Sequence, residues 1–184
     1  MSLEIIIGPM FSGKTTELLR RLTSYNCINK KCIYINSSLD TREETNFSTH
    51  NPLIKDININ SLKVDSIDDS FIEKVKDYDV IGIDESQLFS GKLERCVITL
   101  VDCMNKIVIV SGLNGDFQRN KFGKILDLIP HCDSVIKLYP YCKKCSEEGC
   151  VSRALFSKRI GNKNEVIDVG YNNYIPVCRK CYND

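Results

Sequence analysis

The stretch Gly8-Pro9-Met10-Phe11-Ser12-Gly13-Lys14-Thr15 fits the pattern G-x-x-x-x-G-K-[ST]. Its glycines let the backbone turn and approach a phosphate closely, and the backbone N–H groups at the start of a following helix favour anions. Lys14 reaches toward the β and γ phosphates of a nucleoside triphosphate, and the Thr15 hydroxyl suits Mg²⁺. A second acidic pair, Asp84-Glu85, follows the apolar run Tyr78–Ile83. Asp84 stands where an acid commonly organises the Mg²⁺ shell of a phosphate-loop protein. Glu85 beside it can act as a general base, a role worth about 10²–10⁴ in rate. Such a base activates either water, which makes an ATPase, or a substrate hydroxyl, which makes a kinase. The chemistry of these residues alone leaves both open.

A third constellation lies near the C-terminus. Cys142-Lys143-Lys144-Cys145 and Cys178-Arg179-Lys180-Cys181 are two C-x₂-C knuckles. Four thiolates suit a tetrahedral structural Zn²⁺. Residues 146–177 must leave one knuckle and return to the other, so a metal there would anchor both ends of a flap. Cys150 lacks a C-x₂-C partner. The remaining cysteines, Cys27, Cys32, Cys96, Cys103 and Cys132, sit in apolar surroundings and are expected to be small buried hydrophobes.

These groups need a scaffold. Leu3–Ile7 is a short apolar strand ending at the glycine loop, and Leu18, Leu19, Leu22 and Tyr25 recur at helical spacing after Lys14. Further strands are expected at Lys31–Asn36, Leu62–Asp65, Tyr78–Asp84, Lys106–Gly112 and Ser134–Leu138. Helices are expected at Ile67–Val75, Gly91–Met104 and Lys121–Ile129, the last stopping at Pro130. Asp68 and Asp69 suit the positive end of the first of these. Strands alternating with helices predict a parallel sheet covered on both faces. Ser37 to about Ile59 is polar and reads as a long loop. The texture turns cysteine-rich and charged after Tyr139, which sets a domain boundary: 1–138 for the α/β domain and 139–184 for the appendage.

Bulk composition narrows the class. The chain has 184 residues, 42% hydrophobic, with only five prolines, so it can bury a core. Twenty-five Lys+Arg against twenty-four Asp+Glu give a net charge of +1, without the basic excess of a protein that lives on nucleic acid. No apolar run reaches the length of a signal core or a membrane span. A soluble cytoplasmic protein with no membrane or nucleic-acid partner is expected.

Taken together, GPMFSGKTTEL at 8–18, DTR at 40–42, IGIDESQLF at 81–89, GLNGDFQRNKFG at 112–123 and the paired cysteine knuckles resemble the type II thymidine kinase family over essentially the whole chain. The resemblance implies an α/β fold: a P-loop (RecA-like) parallel sheet flanked by helices, with a small C-terminal zinc-binding domain. It implies phosphoryl transfer from ATP, with Mg²⁺, to the 5′-hydroxyl of thymidine, giving dTMP. Glu85 matches the family's catalytic base, acting with Lys14 and Arg42. The ATP and Mg²⁺ site would comprise Gly8 to Thr15, Asp40, Thr41, Arg42, Asp84, Glu85, Ser86 and Gln87.

For the acceptor, Phe117 matches the aromatic that stacks on the pyrimidine, Leu113 and Phe122 its neighbours in that wall, and Met10 a thioether lid. A loop over Glu165, Val166, Ile167, Asp168 and Val169, with Tyr174 beyond, would read the base through its backbone. Cys142, Cys145, Cys178 and Cys181 would hold the zinc. Feedback inhibition by dTTP and a homotetramer are family expectations as well. Asn114, Asp116, Ser86 and Val169 depart from frequent family choices, and Ser157 stands for a threonine near the 5-methyl pocket. A lost methyl there is worth only about 1–3 kcal/mol of discrimination, so deoxyuridine is expected to be accepted alongside thymidine. Two other classes fit single features: an ATPase gripping nucleic acid through Lys143, Lys144, Arg179 and Lys180, and a nucleotide-sensing module in which Glu85 is idle.

Overall fold

The computed structural model describes residues 1–40, 59–160 and 173–184. Its centre is a six-stranded sheet in the order β3-β2-β5-β7-β1-β8, every pairing parallel. The strands are β1 (Ser2–Ile7), β2 (Cys32–Ser37), β3 (Asn60–Val64), β5 (Val80–Ile83), β7 (Ile107–Gly112) and β8 (Ser134–Lys137). The inner strands β2, β5 and β7 are near-continuous apolar runs because both faces are covered, whereas the edge strands β3 and β8 are half polar and more exposed. Ile6, Tyr34, Val80 and Ile109 point to one face and meet Leu18, Leu19 and Leu22 of α1 (Lys14–Asn26). Ile5, Ile35, Ile83 and Val110 point to the other and pack with Phe71 and Val75 of α2 (Asp69–Val75) and Leu93 and Val97 of α3 (Leu93–Ile98). Gly82 brings α1 close to the sheet, since a β-carbon there would lie 2.7 Å from Leu22 Cδ1.

Three helical expectations are corrected. The second helix starts at Asp69, not Ile67, because Ser66–Ile67 (β4) pairs with Ser90–Gly91 (β6) and Asp68 caps the helix by accepting the Ser70 N–H. The stretch Gly91–Met104 is helical only from Leu93, and after Ile98 it widens into a π-helical turn over Thr99–Cys103. Lys121–Ile129 is not an α-helix; a 3₁₀ segment runs over Ile125–His131 and contains Pro130. Gly123, held at φ 64°, keeps the preceding residues out of it. The scattered cysteines are also corrected: Cys32 and Cys96 are buried, but Cys27 and Cys103 are exposed and Cys132 half-buried.

Beyond β8 lie α4 (Lys143–Glu147), an antiparallel hairpin of β9 (Phe156–Arg159) and β10 (Tyr174–Val177), and α5 (Arg179–Asn183). They share a separate small core of Cys142, Cys145, Ala154, Val177 and Cys181. Among the described residues no helix is long and apolar enough to cross a membrane.

Candidate active site

In a parallel sheet the loops after the carboxyl ends of the strands gather at one edge, and ligands bind there. The Gly8–Thr15 loop leaves β1, Asp40 follows β2, Asp84 and Glu85 follow β5, and Leu113 follows β7.

The first loop is shaped for an anion. Gly13 sits at φ 81° as the N-cap of α1, and no side chain caps that helix. Gly13 has no side chain to cap the first turn, and the dipole favours negative charge at this end. Gly8 has no room for a side chain: a β-carbon would lie 2.6 Å from the Leu138 carbonyl oxygen. Ser12 Oγ is buried and has no hydrogen-bond partner among the described residues. Lys14 is buried and its Nζ donates to the Pro9 carbonyl at 3.0 Å, folding the cation back over the loop. An uncapped helix end, an orphaned hydroxyl and a buried ammonium together fit a phosphate chain.

Asp84 is fully buried and binds this loop to the sheet. Its Oδ2 accepts the Thr15 hydroxyl at 2.6 Å and the Tyr34 hydroxyl at 2.8 Å, while Oδ1 accepts the Glu85 N–H at 2.9 Å. Burial, then the neighbouring Glu85 charge, pushes its acidity weaker than an ordinary carboxyl, and the hydroxyl bonds oppose that. A hard divalent cation would relieve the burial, and Thr15 and Asp84 supply the oxygen donors that such an ion takes.

Glu85 is a non-glycine residue in the left-handed region, at φ 46°. Such a conformation costs about 1–3 kcal/mol and persists where its surroundings enforce it. Here the Glu85 N–H donates to Asp84 Oδ1 and its carbonyl accepts the Leu88 N–H at 2.8 Å, while Gln87 ties the Glu85 carboxylate to the next loop. Gln87 Nε2 donates to Glu85 Oε2 and its Oε1 accepts the Leu113 N–H at 2.9 Å. The turn after Glu85 (Ser86–Leu88) is 3₁₀, with Ser86 and Gln87 both buried. Asp40 is buried and accepts from Asn36 Nδ2 at 3.1 Å.

On the other side of the phosphate loop, the Met10 N–H donates to Ser157 Oγ of β9 at 3.0 Å. A pocket opens where the loop, the 114–119 segment and β9 meet, lined by Pro9, Asn114, Asp116, Arg119, Phe156 and Ser157. Phe117 lies nearby, with the Arg159 guanidinium 4.5 Å from its ring centroid. Arg159 also donates to the Tyr174 hydroxyl at 2.8 Å.

The structure thus links Thr15, Asp84, Glu85, Gln87 and Leu113 in one chain of bonds, Met10 with Ser157 and Lys14 with Pro9, and gathers Phe117 with Tyr174 through Arg159. Phe122 is half-buried beside Gly123. Thr41, Arg42 and Glu165, Val166, Ile167, Asp168 and Val169 lie outside the described residues. Sequence reading missed Tyr34, Arg159 and the bridging role of Gln87. Tyr34 reads as one apolar position in a strand, and only the pairing of β2 with β5 carries it to Asp84.

The four knuckle sulfurs, Cys142, Cys145, Cys178 and Cys181, all lie within 4.8 Å of one another. Cys145 Sγ is 3.7 Å from Cys178 Sγ and 3.6 Å from Cys181 Sγ. Those spacings are far longer than a disulfide. They match the edge of a tetrahedron with metal–sulfur bonds of about 2.3 Å, which is roughly 3.8 Å. The four cysteines can hold a metal ion, and the exposed Cys150 is not among them.

Fold and site define a phosphate-loop α/β protein with a cluster of four cysteines that can hold a metal ion. The family model "Thymidine kinase" matches residues 1–182. The chain is 44% identical over 183 residues to the thymidine kinase of Monkeypox virus, covering 99% of this chain and 97% of the relative. It is 43% identical over the same spans to those of Vaccinia virus (strain Western Reserve) and Variola virus. The chain belongs to the thymidine kinase family. Among solved structures it is similar to flagellar accessory protein FlaH of Methanocaldococcus jannaschii, at TM-score 0.48 and 18% identity, covering 76% of this chain and 71% of that one.

Proposed function

We propose that this chain transfers the γ-phosphoryl group of ATP to the 5′-hydroxyl of thymidine, giving dTMP and ADP. The observation that carries the reading is the place of Glu85. It stands between the Thr15–Asp84 pair at the phosphate loop and the Leu113 loop, and is tethered to the latter through Gln87.

In this reading the uncapped end of α1 and Lys14 hold the β and γ phosphates. Glu85 takes the proton of the 5′-hydroxyl as its oxygen bonds to the γ-phosphorus, the bond from that phosphorus to the β–γ bridging oxygen breaks, and ADP leaves. Thr15 and Asp84 would hold Mg²⁺, which neutralises phosphate charge when bound. Asp40, Thr41 and Arg42 would flank the transferring group, Ser86 and Gln87 backing them. Phe117 would stack on the base, with Met10, Leu113, Phe122, Ser157 and Tyr174 around it and the 165–169 segment reading its edge. The knuckle sulfurs would hold Zn²⁺ in a structural role, with residues 139–184 as a separate substrate-covering domain. Inhibition by dTTP, a homotetramer and a cytoplasmic location follow from family membership as part of the same proposal.

The test is transfer of labelled γ-phosphate. Wild-type protein is expected to label thymidine and also deoxyuridine, while a folded Lys14→Ala variant labels neither. An active Lys14→Ala enzyme would remove the phosphate-loop assignment, and no labelled nucleoside from wild type would remove the kinase reading.

A further inference from the structure

The loop that carries Phe117 shapes itself. Asp116 Oδ1 accepts the N–H groups of Gln118 at 2.9 Å and Asn120 at 2.8 Å, the Arg119 N–H returns to the Asp116 carbonyl at 3.1 Å, and Gly115 bridges to Lys121. Bonds within a loop fix its form, not its position on the protein.

Its position is set from the C-terminal unit. The Tyr182 hydroxyl donates to the Phe117 carbonyl oxygen at 2.7 Å, across 65 residues of sequence. The Arg119 guanidinium lies 4.5 Å from the Tyr182 ring centroid and 5.5 Å from that of Phe156. Those two rings are themselves 5.2 Å apart. Tyr182 is well anchored for this task. Lys158 Nζ donates to its carbonyl oxygen at 3.1 Å and to that of Cys181 at 3.0 Å, and its ring packs on the small cysteine core. The stacking and the core packing need only the ring. The hydroxyl has its described bond with Phe117, so it contributes placement of that residue rather than packing.

We propose that Tyr182 is a positioning residue for the acceptor nucleoside: its hydroxyl fixes the Phe117 backbone and so the ring against which the base lies. This rests on the proposed stacking of the base on Phe117. The side chain touches no reacting atom, so its effect must fall on thymidine binding and not on ATP.

The experiment compares full-length wild type, Tyr182→Phe and Tyr182→Ala in steady-state kinetics, thymidine calorimetry and thermal unfolding. Tyr182→Phe keeps the ring and removes the bond. The thymidine KM and Kd should rise roughly two- to tenfold, the span of one net hydrogen bond, with the ATP KM unchanged and Tm within a few degrees of wild type. Tyr182→Ala, which also removes the ring, should lose more thymidine affinity and Tm. A Tyr182→Phe protein with wild-type thymidine KM would overturn the inference, as would equal rises in the KM for both substrates. Wild type that is active while Tyr182→Phe is unaltered removes this inference alone. Wild type without thymidine-dependent turnover removes the proposed function, and this inference with it.

Discussion

Glu85 and Gln87 show how much of the site hangs on backbone that a side-chain pattern hides. Glu85 is held in a left-handed conformation, and the amide of Gln87 links it to Leu113. Gly123 makes that possible, because its φ of 64° suits glycine and a β-carbon there would lie 2.6 Å from Gln87 Cα. The clash is with backbone and is not relieved by a rotamer. Gly123→Ala should therefore cost about 1–3 kcal/mol of stability and lower kcat by displacing Gln87 and Glu85, while ATP still raises Tm as it does for wild type. Denaturant unfolding and ATP-dependent thermal shift read both effects, and an alanine variant with wild-type stability and kcat would contradict this account. In the sequence, Gly123 is the end of one recognisable motif and Gln87 lies in another. That they touch follows only from the fold.

At the scale of elements, α1 matters most, since the phosphate loop is its N-terminus. Its inner face packs on the sheet, and its outer face is pinned by charge. Arg21 pairs with Glu4 of β1 and, at 2.8 Å, with Glu17, which also takes Arg20 at 2.7 Å. The Arg20 guanidinium, opposed by burial and helped by Arg21, holds the Glu17 carboxyl down at about 2. A depressed acid contributes stability above its unfolded value of about 4.3, and that contribution is lost as pH falls toward 2. Glu17→Gln should therefore lower stability at pH 7 by less than about 1 kcal/mol, because the pair is partly solvated, and Tm slightly with it. The difference should shrink in high salt and disappear as pH falls through about 2. A difference that grows on acidification would contradict the assignment.

The same scale shows what was legible. β1, α1 and β7 were readable nearly to the residue because long apolar runs and 3.6-residue spacing are unambiguous there. Residues 66–67 and 121–131 were not. Ile67 is apolar in either structure, and only its pairing with Gly91 makes it a strand. Ile125–His131 has apolar spacing near a helix, but it forms a 3₁₀ segment that contains Pro130.

For the whole molecule, the two parts meet at the site. The Met10 amide of the phosphate loop bonds Ser157 of β9, and Tyr182 beside a knuckle cysteine bonds Phe117. The phosphate loop, acidic pair and knuckles were all legible, because each demands fixed residue types at fixed spacing. The meeting of donor loop and appendage was not, since no local pattern encodes a bond across 147 residues. If a metal holds the knuckles, chelation should unravel the unit after residue 139 before the sheet. The thymidine KM should then rise while ATP binding to the remaining domain persists, as followed by limited proteolysis and nucleotide titration. Equal loss of both substrates, or no effect on a protein stripped of metal, would contradict that coupling.

In the proposed function Glu85 activates a nucleoside hydroxyl and not water. Coupled measurement of ADP release, with and without thymidine, for wild type and Glu85→Gln separates the two. Wild type should release ADP only when thymidine is present, and Glu85→Gln should lower that rate by about 10²–10⁴-fold with little change in the ATP KM. ADP released at the same rate without thymidine, or a Glu85→Gln enzyme at the wild-type rate, would contradict it.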